Sequence, residues 1–455
     1  MRKILCIGVI LTLAMVTVGA FAADRPVIKL PKTTSGSPAT VVGGLKFDPH
    51  SLAQYKTQNR LSSAMNSYIL RQQSGTAFKN GTIDTVPYFN SWFVTGEHNS
   101  VYTYSMLGHN PAAGGTTTVQ TEIIPLVTEL DIGGVPYAIF DPSGVFVAPA
   151  DQDSDQNLLA ESPMYDATTA YPGPPAQTGQ LVDTAQRTAL RKVRTANWHT
   201  NLTQVSSPFI WYQFLEYNNG DWTLLCCDPN GNPVPVVNIN TISNNFEAIV
   251  SYPLELAATT NNIVPIIVTD YLTAFIPGGG CCVLGYHSAQ PGTFDPNGVL
   301  VWTWATWIPH NLDQGLLNPF GQFGADVMVT THEVQELIND PFVQTTGTLI
   351  SPWVDGSVQF AQSNLEVGDA IEAMAAADVI YPDTLNTSTG PYTYTLQNTA
   401  LLEWFTRNPL SGGIYSWPSE HTLNQAPHGA NCTAPFVCSW LYGQGSAAFY
   451  FGPPY

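Results

Sequence analysis

Residues 329–342 read VTTHEVQELINDPF and bring His332, Glu333 and Glu336 close together along the chain. On a helix, positions four apart share a face, so His332 and Glu336 can reach one cation while Glu333 points partly aside. In zinc peptidase helices, the glutamate after the first histidine takes a proton from metal-bound water, and the second ligand is a histidine four positions on. Here that position is Glu336. A catalytic site also needs a third ligand and an open position. The stretch SNLEVGD offers Glu366 and Asp369, and CCVLGYHSAQ offers a second imidazole, His287. His287, His332 and Glu336 would match the two-His, one-Glu composition of catalytic zinc sites, with Glu333 as general base. A set with only His332 and several acids would be harder and more structural, open to manganese or calcium as well as zinc.

Each of these residues also has a plain structural reading. Glutamate is a good helix former, Asp340-Pro341 is a helix stop, and Glu366 and Asp369 suit a helix N-terminus. The counterweight is composition: charged residues make up only 11% of the chain, yet acids gather around a histidine. Other chemistries find less support. The sequence carries no Gly-x-Ser-x-Gly elbow and no phosphate-cradling Gly-rich loop with Lys. Glycoside hydrolysis needs two facing carboxylates, and no particular acids pair for that role. Two histidines in SEHTLNQAPHGANC form a minor metal candidate.

Several elements must position these groups. The runs VYTYSMLG, TTTVQTEIIPLVTEL, VPYAIF, FIWYQFLEY, NIVPIIVTDYLTAFI and GVLVWTWATWI are rich in β-branched and aromatic residues and predict strands. Helical periodicity predicts helices in SLAQYKTQNRLSSAMNSYILRQQ, over 184–199, over the His332 segment up to Asp340-Pro341, and over 394–407. Residues 364–381 predict a further helix or a tight turn. Three copies of Asp-Pro-Ser/Asn-Gly, in FDPSGV, CDPNGN and FDPNGV, predict hairpin turns, since they lack the alternating oxygen ligands of a calcium loop.

The chain of 455 residues opens with a basic pair, an apolar run and Ala20-Phe21-Ala22, the order of a secretory signal peptide over residues 1–22. Its net charge is −19; removing Arg2 and Lys3 leaves 13 basic against 34 acidic residues. That balance repels phosphate backbones and excludes nucleic acid as a natural partner. No later stretch reaches membrane-spanning length without polar interruption. Six cysteines remain after Cys6, as Cys226-Cys227, Cys281-Cys282 and Cys432 with Cys438. An even number in an exported chain predicts disulfides, with zinc binding by the two doublets as the alternative.

GCCVLGYHSA, THEVQELINDPF and NLEVGD, in that order, together with the upstream YTYSMLG and TTTVQTEIIPL strands, resemble a family of secreted bacterial proteins of undefined function. Members share Gly-Tyr-His, His-Glu-x-x-Glu-x-x-x-Asp-Pro and Glu-Val-Gly-Asp elements and are similar to zincin-type metallopeptidases. The resemblance covers most of residues 84–410. It implies functional positions at His287, His332, Glu333, Glu336, Asp340, Glu366 and Asp369.

The expectation is an α+β protein: a signal peptide (1–22), an N-terminal extension (23–83), a β-rich region (84–200) and a mixed region (201–455) carrying the metal-site helix. The leading function is a secreted metallopeptidase-like hydrolase of extracellular protein or peptide, with zinc or another divalent metal. The alternative is a non-catalytic extracellular binding or surface protein with a structural metal or none. Oligomeric state is left open.

Overall fold

The computed structural model describes residues 25–30, 86–94, 101–173, 176–225, 233–251, 263–277, 281–291 and 299–310. Further along it describes 325–342, 353–355, 360–362, 365–372, 379–406, 414–420, 422–423, 429–433, 437–441 and 448–450. The signal-peptide segment, the helix expected over SLAQYKTQNRLSSAMNSYILRQQ, the second and third Asp-Pro-Asn-Gly copies, His98, His421 and His428 lie outside the described residues. So do the side chains of all six cysteines; of these, Cys432 and Cys438 stand opposite each other in backbone register.

The fold is α+β and rich in strand. An eight-stranded sheet forms its centre. Strand Gly115–Ile132 lies in the middle, parallel to Trp198–Ser206 and Ile210–Glu216 on one side and to Ile263–Asp270 on the other. Val299–Trp307 continues the parallel order, and Gly285–Pro291 closes that edge antiparallel to it. The boundary expected near residue 200 falls inside Trp198–Ser206, and the sheet takes strands from both sides of it. Parallel strands are covered on both faces and so read as continuous apolar runs. Accordingly, IVPIIVT is buried residue after residue.

Side chains alternate between faces along each strand. Tyr286, Trp302 and Trp304 point into a core with Phe246 of helix Ile239–Val250. Ala289 and Val301 point to the opposite face and pack with Val334, Leu337 and Ile338 of helix Met328–Asn339. His287 is two positions from Ala289, so it shares the face that this helix covers. Every residue of the helix is buried, and it ends at Asp340, as the Asp-Pro stop predicts.

Three expectations are corrected in extent. The helix predicted over 184–199 runs instead from Leu181 to Ala189 and gives way to a strand at Trp198. Over 364–381 only Asp369–Glu372 is helical among the described residues. Over 394–407 the chain stays in strand Gly390–Gln397, and only Leu402–Phe405 is helical. The alternating Tyr-Thr-Tyr-Thr of that segment fits a half-buried pleated surface and pairs residue for residue with Ile380–Thr387, which overrides the weak helical period. The first Asp-Pro copy forms a turn but not the hairpin expected: it follows strand Val135–Phe140 and leads toward helix Asp155–Ala160, with Asp141 accepting hydrogen bonds from the backbone N–H of Ser143, Phe146 and Val147 and Gly144 at φ 69°. No helix among the described residues is long and apolar enough to cross a membrane.

Candidate metal centre

His287, His332, Glu333, Glu336, Glu366 and Asp369 meet in one buried cluster between the sheet edge, the Met328–Asn339 helix and the short helix at Asp369–Glu372. Five of them are 0% exposed and Asp369 is 5% exposed. Two glycines make the close approach possible. A Cβ on Gly285 would lie 2.8 Å from Glu333 Cγ, Val329 Cγ1 and the Trp304 carbonyl oxygen, so the strand presses directly on the helix there. A Cβ on Gly368 would lie 2.4 Å from His332 Nδ1. The backbone of the Glu-Val-Gly-Asp element is therefore stacked on the imidazole.

His332 has a defined orientation. Gln397, fully buried on strand Gly390–Gln397, donates from Nε2 to the Gly368 carbonyl at 3.0 Å, which leaves its Oε1 to accept. His332 Nδ1 lies 3.0 Å from that Oε1 and must carry the proton. Nε2 of the same ring then faces Glu336 Oε2 at 3.2 Å, Asp369 Oδ1 at 3.6 Å and Glu333 Oε1 at 3.9 Å. A nitrogen lone pair against three carboxylate oxygens is repulsive unless a cation, proton or metal, lies between them.

His287 stands in a similar ring of oxygens. Its Nδ1 is 3.6 Å from Glu333 Oε2, 3.7 Å from Glu336 Oε2 and 3.9 Å from Glu366 Oε2. Both nitrogens of His287, both oxygens of Glu333 and Oε2 of Glu336 are buried without a hydrogen bond among the described residues. Buried polar atoms are nearly always paired, so this set of convergent exceptions calls for a shared partner. By contrast, Glu336 Oε1 is anchored by the backbone N–H groups of Gly368 at 3.0 Å and Asp369 at 3.1 Å.

Burial raises the cost of charge throughout, but the carboxyl groups respond differently. Glu336 is buried, yet the neighbouring His332 charge and hydrogen bonds to it hold its pKa down at about 2. Burial lifts Glu333 above the usual carboxylate range, against the pull of His287 and His332. Glu366 is pushed well above that range by burial, then by the charge of Glu336.

The donor atoms fall into two groups, each with its members within 4.8 Å of one another: His287, Glu336 and Glu366, and His332, Glu333 and Glu336. These buried His/Glu clusters can hold a metal ion. Four of the residues named from the sequence, His287, His332, Glu336 and Glu366, fall in these groups; Asp369 is in neither, with its Oδ1 3.6 Å from His332 Nε2. Glu333, expected to stand aside as the base, sits inside a donor group. Asp340 is buried and adds to the negative field at Glu366.

Sequence reasoning missed Gln397 and the spatial need for Gly285 and Gly368. Nothing in the sequence marked Gln397, since its segment reads as helical and its burial shows only in the structure. The remaining described histidines have structural roles: His109 bonds Thr117 and the Gly114 carbonyl, His199 pairs with Asp183 at 2.9 Å, and His310 pairs with Asp326.

No family model matches the chain, and neither a curated protein nor a solved structure matches it.

Proposed function

We propose that the protein is an exported metalloprotein whose buried centre binds zinc or another divalent metal and serves hydrolysis of peptide bonds. The observation that carries the metal reading is His332. Its tautomer is set by Gln397, and its other nitrogen is aimed into carboxylate oxygens. His287, His332, Glu336 and Glu366 supply the donors, with Glu333 and Asp369 beside the His332 ring. A bound divalent ion would supply Lewis acidity and a water acidic enough to act as nucleophile near neutral pH. Gln397 fixes the His332 ring, and the Gly368 and Asp369 amides fix Glu336, so both donors are held before any ion arrives. The resemblance to zincin-type metallopeptidases, drawn from the same residues, supports the hydrolytic reading. The basic-apolar-small order of residues 1–22 supports export, and with it an extracellular protein or peptide substrate.

One observation favours a second reading. The six donor residues are almost wholly buried, which suits a structural centre in a non-catalytic extracellular protein. Glu333→Gln separates the roles. If Glu333 is the proton acceptor, the variant keeps its metal and loses hydrolysis of a denatured protein substrate. If it is a ligand, metal affinity falls as well. Wild-type protein that retains metal without hydrolysing any such substrate supports the structural centre and overturns the peptidase reading.

A further inference from the structure

The geometry points to two cations rather than one: we propose a dinuclear centre, with one ion in the group His287–Glu336–Glu366 and one in His332–Glu333–Glu336, sharing Glu336. The proposal rests on the metal-binding reading above and takes Glu333 as a ligand.

Three observations carry it. First, among the described residues the mutually close donor groups are these two, and neither contains both imidazoles. A single ion on His287 and His332 together is therefore not what the side chains prefigure. Second, Glu336 belongs to both groups: its Oε1 is held by the Gly368 and Asp369 amides, which leaves Oε2 as the oxygen facing the imidazoles. Oε2 lies 3.2 Å from His332 Nε2 and 3.7 Å from His287 Nδ1, between the two imidazoles. Carboxylate sharing of this kind sets the ion spacing of about 3.5–4 Å found in two-metal sites.

Third, the remaining carboxylates divide between the two rings. Glu366 Oε2 is 3.9 Å from His287 Nδ1, and Asp369 Oδ1 is 3.6 Å from His332 Nε2. Glu333 turns one oxygen to each ring, Oε2 at 3.6 Å from His287 and Oε1 at 3.9 Å from His332. Each imidazole thus has its own acid, and two glutamates lie between them. Two histidines with four carboxylates is the composition that carboxylate-bridged dinuclear centres use in unrelated helical folds.

The test is loading of the metal-stripped full chain with Mn2+, removal of unbound ion, elemental analysis and electron paramagnetic resonance. The expected result is about two equivalents with an exchange-coupled spectrum, falling to about one equivalent with an isolated-ion spectrum in Glu366→Gln. Asp369→Asn, which touches the other ring, provides a second variant should the first fail to fold. One equivalent with an isolated-ion spectrum in the wild type overturns the dinuclear proposal while the metal-binding reading stands. Two uncoupled equivalents overturn the sharing of Glu336. Absence of Mn2+, Zn2+ and Fe2+ binding overturns both readings together.

Discussion

Replacing Gln397 by leucine probes how the centre is held without touching a donor. Gln397 is fully buried; its Oε1 accepts from His332 Nδ1 at 3.0 Å and its Nε2 donates to the Gly368 carbonyl at 3.0 Å. Outer partners of this kind are worth about 10–100-fold in metal affinity, or about 1.4–2.8 kcal/mol at 1.4 kcal/mol per tenfold. The metal-free protein should suffer separately. Leaving the His332 N–H and the Gly368 carbonyl buried without partners costs about 1–3 kcal/mol each. Gln397→Glu keeps the acceptor for His332 Nδ1 and gives up only the donor to Gly368, so its affinity should stay closer to wild type. Competition against a chromophoric chelator reads the affinity, with circular dichroism confirming that each variant is folded. A folded leucine variant that binds metal as tightly as wild type would refute the assigned tautomer and the orienting role of Gln397.

Gly368→Ala should weaken binding at least as much, because its Cβ would lie 2.4–2.8 Å from three atoms of the His332 ring; the same chelator competition measures it. Chelation should lower the melting temperature and re-addition of metal should restore it, since saturating a site to about 1,000 times its Kd stabilises by about 4 kcal/mol. Away from the centre, burial pushes Asp270 from 3.8 up to about 7, with Asp141 and Asp151 adding repulsion. The folded value lies above the unfolded one, so the contribution of the neutral form is full below the unfolded value and is lost as pH rises through about 7. Asp270→Asn should therefore raise the melting temperature relative to wild type above about pH 7 and leave it little changed near pH 4. An equal shift at both pH values would contradict the burial argument.

The donor residues were legible in the sequence because residue type and helical spacing carry that information locally. His332 and Glu336 stand four apart on a helix whose stop, Asp340-Pro341, was also legible. His287 could be named because Gly-Tyr-His follows an apolar strand, and the strand's alternation puts it on the helix-facing side. The parallel order of the central strands was not legible, since pairing sets Gln120 of Gly115–Ile132 opposite the distant Ile263 and depends on no local signal. Neither was Gln397, because a segment with helical period became the strand that carries it once a hairpin partner was available at Ile380–Thr387. The position of Glu333 also escaped: helical geometry turns it partly aside, but the sheet edge packed at Gly285 brings His287 to within 3.6 Å of it.

The most direct test of the central claim is anomalous diffraction from crystals grown with Zn2+ or Mn2+, with data collected at the metal edge. Anomalous density is expected within bonding distance of His332 Nε2 and Glu336 Oε2, at about 2.0–2.2 Å for zinc. Crystals that show Nε2 hydrogen-bonded directly to a carboxylate, with no anomalous signal among the six residues under saturating metal, would contradict it.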